Sequence, residues 1–106
     1  MSFTYKTELE GEVVKVTLSG KLDANSAPEL SENLQQFKDK AVKKLVFFSE
    51  GLEYISSAGL RVIIFAKQKI GDNADVYFIK AQEFVKEVID MTGLGNFLIF
   101  QDDFTE

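Results

Sequence analysis

Two residue types that carry much of enzyme chemistry are missing from this chain. It contains no cysteine and no histidine, which excludes thiol nucleophiles, disulfides, imidazole bases and most zinc sites. Serine hydrolases that depend on a histidine base are excluded for the same reason. Proline occurs once, at Pro28, so the composition is that of an ordinary globular chain. The apolar stretches are too short to span a bilayer, and we expect no membrane segment.

Basic residues are outnumbered by acidic ones. The chain has 106 residues, with 12 basic and 17 acidic side chains and a net charge of −5; the length predicts one domain over residues 1–106. An acidic chain is poorly suited to direct nucleic-acid binding, which relies on Lys and Arg displacing counterions from phosphates. Protein partners are expected instead. Residues 1–11 lack the basic stretch and apolar run of a signal peptide, so we expect a cytoplasmic protein.

The spacing of apolar residues predicts a hairpin and a first helix. Bulky side chains alternate over residues 3–9 and again over 14–18, with a turn at Glu10-Gly11 between them, as in an antiparallel pair of strands. A connection over residues 20–25 leads to a predicted helix over residues 27–38. Ser26 is expected to cap that helix, with Glu29 reaching back in a capping box.

The rest of the chain alternates between strands and helices. Residues 45–48, 76–79 and 97–100 are apolar runs typical of buried strands, and residues 49–55 are predicted to be a loop. A second helix begins near Ser56 with the stripe Leu60, Ile63, Ile64 and Ile70, and a third has the stripe Ala81, Phe84, Val88 and Met91, ended by a left-handed Gly93.

This order predicts an α/β fold. Right-handed crossovers would place three main helices against a mixed, mostly parallel sheet of about five strands, opened by the N-terminal hairpin. In such sheets the functional crevice lies outside the carboxyl ends of the parallel strands. Here that rule indicates the loops after Leu18, Phe48 and Ile79.

The segment from Gly51 to Arg61 carries the chemistry, because two hydroxyls meet a helix start there. Gly59 in the first turn costs about 1 kcal/mol relative to alanine, so close packing or close approach by a partner must compensate. The free N–H groups and the helix dipole favour negative charge, and a phosphate on Ser57 would be well placed. The ordinary structural interpretation stays open: one serine caps the helix, and Gly59 lets it pack against the sheet.

The segment is Tyr54-Ile55-Ser56-Ser57-Ala58-Gly59-Leu60. It resembles the signature of the STAS domain family, and within it of the small bacterial anti-sigma factor antagonists, which is an aromatic or apolar pair followed by Asp-Ser-(Ser/Ala)-Gly-Leu. Gly20-Lys21-Leu22-Asp23 resembles the family's Gly-x-(Leu/Ile)-Asp, and Thr92-Gly93-Leu94 its late Thr/Ser-Gly-Leu. The resemblance covers nearly the whole chain and implies a STAS-like fold.

The resemblance also implies a function without catalysis and without a cofactor or metal. A family member of this kind binds an anti-sigma factor that is also a serine kinase, frees the sigma factor, and is inactivated when its signature serine is phosphorylated; a serine phosphatase reverses this. Carried onto this sequence, the serine is Ser57. Two positions depart from the pattern, since Ser56 and Phe48 stand where family members often carry Asp. Ser56 is therefore a competing acceptor or, as the pattern favours, the helix cap.

Further residues are expected to contact a partner. Phe65 lies among polar residues of the second helix, where it is either covered by a neighbouring segment or an interface anchor. Arg61 and Tyr54 would adjoin it. Asp23 and Asn25 either join this surface or cap the turn before the first helix. The remaining signature residues complete the candidate surface: Ser56, Ala58, Gly59 and Leu60.

Other function classes fit less well. The chain has no Walker loop, dinucleotide fingerprint or carboxylate cluster, and Gly93-Leu94-Gly95 follows a helix where that fingerprint would follow a strand. A response-regulator receiver needs an acceptor Asp after the central strand, where this chain has Phe47-Phe48-Ser49. The alternative left open is a STAS adaptor that acts without phosphorylation, in a signalling, stress-complex or lipid-trafficking assembly.

Overall fold

The structure, a computed structural model, describes residues 3–104; residues 1, 2, 105 and 106 of the predicted single domain lie outside the described part. Its strands are β1 (Thr4–Glu10), β2 (Val13–Leu22), β3 (Lys44–Ile55), β4 (Asp75–Ile79) and β5 (Ile99–Gln101). The helices are α1 (Ala27–Leu34), α2 (Ser57–Lys69) and α3 (Glu83–Met91), and short 3-10 turns follow at Gln35–Phe37 and Leu94–Phe97.

The five strands form one sheet in the order β1-β2-β3-β4-β5. β1 and β2 are antiparallel, and the pairs β2–β3, β3–β4 and β4–β5 are parallel. Each parallel pair is joined by a helix, and successive right-handed crossovers in this order place all helices on one face. The predicted mixed sheet with an N-terminal hairpin and three helices is confirmed.

One face of the sheet and the three helices enclose a single core. It contains Val14, Val16 and Leu18 from β2, Leu45 and Phe47 from β3, and Val76 and Phe78 from β4. Phe47 and Phe78 are register partners on adjacent strands, with ring centroids 4.9 Å apart. The helical segment after β2 also contributes to this core, because Leu30, Leu34 and Phe37 are all buried.

The predicted loops after Leu18 and Phe48 are wrong. β2 continues to Leu22 and β3 continues to Ile55, and these extensions pair with each other in parallel with small register shifts. Leu52 and Ile55 are buried in the core and hold the extension of β3 in the sheet. The polar stretch Ser49-Glu50-Gly51 interrupts the apolar run, so the sequence pattern does not indicate that the strand continues. Because β2 and β3 are longer than their neighbours, the start of α2 lies beyond the ends of β4 and β5.

Three helix and strand details also differ from the predictions. Ser26 makes no capping hydrogen bond with its side chain, so the capping box is absent, and the helical segment leaves α geometry at Gln35 rather than continuing to Lys38. The last strand begins at Ile99 because residues 94–97 form a 3-10 turn. Gly93 does adopt the predicted left-handed conformation, with φ of 81°.

The predicted stripe of the third helix is wrong at Phe84 and Met91, which are exposed. Its other two residues, Ala81 and Val88, are half-buried against the core, and the fully buried residues of α3 are Val85 and Ile89. Both sets repeat at helical spacing, so periodicity alone could not separate them. At the start of the helix, Gln82 Nε2 donates to the Glu50 carbonyl of β3 at 2.8 Å.

Candidate functional site

The candidate site is the turn that joins β3 to α2, and Ser56 anchors it. Its backbone is extended, with φ −97° and ψ 178°, and its Oγ accepts a hydrogen bond from the Gly59 N–H at 3.3 Å. The Ser56 N–H donates to the Leu22 carbonyl at 2.9 Å, which ties the helix start to the end of β2. Ser56 is therefore the N-cap, as the resemblance favours, and its hydroxyl is already engaged.

Ser57 has a different environment from Ser56. It is the first residue of α2 and is exposed, whereas Ser56 is half-buried. The N–H groups of Ser57 and Ala58 have no acceptor within the helix, because the first turn of a helix leaves them unpaired. The positive end of the helix dipole and these N–H groups together favour an anionic group at the Ser57 position. Of the two adjacent serines, Ser57 presents the accessible hydroxyl.

Gly59 holds the helix start close to the sheet. A Cβ at this position would lie 2.8 Å from Ile55 Cγ1, 2.8 Å from the Leu22 carbonyl oxygen and 2.9 Å from Leu22 Cγ. Close backbone packing is therefore what compensates for a glycine in the first turn. Gly59 and Leu60 are both buried, so their contribution is to position Ser57 rather than to touch a partner. Ala58 is half-buried beside them.

The turn after β2 lies beside the turn after β3. Leu22 and Ile55 are register partners, so Asp23 and Ser56 leave the sheet from adjacent strands, about 5 Å apart. Asp23 Oδ1 accepts hydrogen bonds from the N–H groups of Asn25 at 3.0 Å and Ser26 at 3.2 Å. These bonds hold the pKa of the Asp23 carboxyl below its ordinary value. Asp23 thus caps this turn.

Ser26 completes the same network. Its Oγ accepts from the Asp23 N–H at 2.9 Å and donates to the Lys21 carbonyl at 2.9 Å, which explains why it is not free to cap α1. The Asn25 side chain is exposed. Hydrogen bonds therefore fix the backbone of the turn after β2, and the exposed side chain of Asn25 lies on the turn next to that of Ser57.

Two aromatic residues were expected at the site, and their surroundings differ. Phe65 is half-buried and packs against the core, which agrees with the covered alternative. Tyr54 is 38% exposed and stacks on Phe84 of α3, with ring centroids 6.2 Å apart and 17° between the planes. Sequence reasoning missed Phe84 because it assigned this residue to the buried stripe. Arg61 is exposed one turn after Ser57.

Phe48, one of the two departures from the family pattern, lies on the sheet face without helices. Its ring meets Phe104 edge-on at 6.3 Å, and Phe104 also contacts Tyr77 at 5.3 Å and lies under Lys44 Nζ at 5.6 Å. Val46 is fully buried on β3 between Lys44 and Phe48. The C-terminal segment thus covers an apolar strip that a carboxylate at position 48 would disrupt.

Sequence comparison assigns the chain to a family. The family model of the STAS domain matches residues 4–106, and the chain belongs to the STAS domain family. A relative of known name is the anti-sigma-B factor antagonist of Staphylococcus aureus strain NCTC 8325 / PS 47. It is 21% identical over 99 residues, which are 92% of this chain and 92% of the relative.

Solved structures share the fold. The anti-sigma factor antagonist from Mycobacterium paratuberculosis superimposes with a TM-score of 0.83 at 22% identity, covering 96% of this chain and 87% of that chain. SpoIIAA of Bacillus in its phosphorylated form gives a TM-score of 0.73 at 17% identity, covering 92% and 90%. At these identities the likeness concerns the fold alone. Within residues 3–104, no helix is long and apolar enough to cross a bilayer.

Proposed function

We propose that this protein is an anti-sigma factor antagonist that binds an anti-sigma factor serine kinase, thereby releases a sigma factor, and is inactivated by phosphorylation of Ser57. The observation that carries the proposal is the contrast between the two adjacent serines. Ser56 is held as the helix cap, and Ser57 offers an exposed hydroxyl at the positive end of α2. The names of the S. aureus and M. paratuberculosis relatives support the same partner class.

The phosphoryl transfer needs only a hydroxyl from this chain. Ser57 Oγ attacks the γ-phosphorus of ATP held by the kinase, the new O–P bond forms, and the bond from phosphorus to the β-bridging oxygen breaks as ADP leaves. The hydroxyl proton passes to a base of the kinase or to water. The kinase must therefore bind the Ser57 turn with nucleotide phosphates directly opposite it.

The same geometry explains inactivation. A phosphoserine carries about −1.5 to −2 charges, and in the complex it would face the nucleotide phosphates of the kinase. Like charges at such an interface cost several kcal/mol. Within the free protein the phosphate lies at the N-terminus of α2, where it is tolerated, so modification abolishes binding without unfolding the domain.

The proposed setting is transcription regulation in the bacterial cytoplasm. The partners are proteins, namely the anti-sigma factor kinase and a serine phosphatase that restores Ser57, with no direct contact to nucleic acid or membrane. Phosphorylation of a fold of this kind has a precedent, since one structural neighbour is described as SpoIIAA in the phosphorylated form.

Incubation with the anti-sigma factor kinase and ATP, followed by phosphate mapping by mass spectrometry, tests the proposal. The expected result is one phosphate on Ser57, with Ser57→Ala unmodified and Ser56→Ala still modified. A phosphate on Ser56 alone would overturn the choice of acceptor. Tight binding to the kinase without any modification would instead favour the adaptor function.

A further inference from the structure

Two exposed aromatic rings meet beside the Ser57 turn. Tyr54, near the end of β3, is 38% exposed, and Phe84, in the first turn of α3, is 51% exposed. Their rings stack with centroids 6.2 Å apart and 17° between the planes. Rings that fix each other in this way lose little conformational freedom on binding, and aromatic residues are enriched among the strongest interface anchors. This Tyr54–Phe84 pair has the properties of an interface anchor.

The pair stands on a rigid support. The Gln82 Nε2 donates to the Glu50 carbonyl at 2.8 Å and so joins the start of α3 to β3. Val85, directly after Phe84, is fully buried, and Ile55, directly after Tyr54, is buried in the core. These contacts fix the backbone at Tyr54 and Phe84, so the fold holds both residues at the surface.

An acidic residue precedes each ring residue in the chain, and these two glutamates are called the acidic border. Glu53 precedes Tyr54 and Glu83 precedes Phe84 in the chain, and both glutamates are exposed. Within residues 3–104, neither forms an ion pair or a side-chain hydrogen bond. An apolar centre with an acidic border fits a protein surface that has an apolar hollow edged by Lys or Arg.

We propose that the anti-sigma factor kinase contacts the Tyr54–Phe84 pair in addition to the Ser57 turn, so that its docking surface extends from α2 to α3. This inference rests on the proposed function. Ser57 is three residues from Tyr54, a Cα separation of at most about 11 Å, so one standard interface of roughly 800 Å² per partner would include both. An apolar side chain or hollow of the kinase meets the rings, and its basic residues face Glu53 and Glu83.

Calorimetric titration with the purified kinase and ADP tests this surface. Phe84→Ala should weaken binding about tenfold or more, as for an anchor residue. The matched control is Phe97→Ala, which removes an exposed aromatic ring (64% exposed) that lines a cavity with Ile64 and Lys67, away from Ser57; it should change affinity less than about twofold. Thermal melts establish that both variants remain folded.

A second variant tests the charges. Glu83→Gln should lower the association rate and flatten its dependence on salt, because steering by the acidic border is reduced. Phe84→Ala that binds like the wild type, while Ser57→Asp does not bind, overturns this inference and leaves the proposed function standing. Equal weakening by Phe84→Ala and Phe97→Ala also overturns it. Wild-type affinity in Ser57→Asp contradicts the proposed function itself.

Discussion

Replacing Gly59 by alanine tests how the start of α2 is held. The substitution gains about 1 kcal/mol in helix propensity, but its Cβ meets the Leu22 carbonyl oxygen and the Ile55 side chain at 2.8 Å. That carbonyl accepts the Ser56 N–H, so it cannot move away without losing a hydrogen bond. Overpacking of this kind costs about 3 kcal/mol at the upper end of its range. The expected net effect is a loss of about 2 kcal/mol in the free energy of unfolding.

Chemical denaturation and a thermal melt measure this loss. An unfolding entropy of about 0.22 kcal/mol per kelvin for a chain of this length converts 2 kcal/mol into a fall of about 9 °C in Tm. The control is Ala58→Gly in the same turn, which changes propensity without a clash and should cost no more than about 1 kcal/mol. Gly59→Ala should also weaken kinase binding, since Ser57 moves with the helix. A Gly59→Ala protein more stable than the wild type would refute the close-packing argument.

Three further predictions concern neighbouring residues. Asp23→Asn keeps an oxygen for the two turn N–H groups but loses the charge. Because the pKa of Asp23 is lowered in the folded protein, the wild type should be more stable than the variant above about pH 4. This difference in stability should disappear as the pH falls through the folded pKa. A pH-independent difference in denaturation midpoints would contradict this. Ser56→Ala should cost about 1 kcal/mol through loss of the cap to Gly59, measured in urea, while Ser57 stays a substrate; no change in stability would count against the cap. Phe104→Ala should cost about 1 to 2 kcal/mol by removing two ring contacts and a cation–π contact, and unchanged stability would show that the C-terminal segment does not hold the sheet face.

Local patterns were sufficient for most of the fold. Alternation over residues 3–18 and the apolar runs at 45–48 and 76–79 predicted the strands, because each pattern reflects burial on one or two faces of a sheet. The extension of β3 to Ile55 could not be predicted in this way. Its pairing depends on β2 continuing beyond Leu18, which is a property of two distant segments rather than of either one.

The same distinction applies to the site. The Ser56 cap and the exposed position of Ser57 depend on residues adjacent in sequence, so the signature motif was sufficient to predict both. The Tyr54–Phe84 pair joins residues 30 positions apart and depends on the phase of α3. Asp23 illustrates a third case: both of its expected roles were compatible with the sequence, and only the two hydrogen bonds to its Oδ1 identify the turn-capping one.

The most direct measurement compares Ser57→Asp with Ser57→Asn in calorimetric titrations against the kinase. The two side chains have nearly the same size and differ in one negative charge, so their comparison separates charge from bulk at the first residue of α2. Repulsion of about 2 kcal/mol or more from nucleotide phosphates predicts that Ser57→Asp binds at least about thirtyfold more weakly than Ser57→Asn. Equal affinities for the two variants would contradict the claim that charge on Ser57 controls docking.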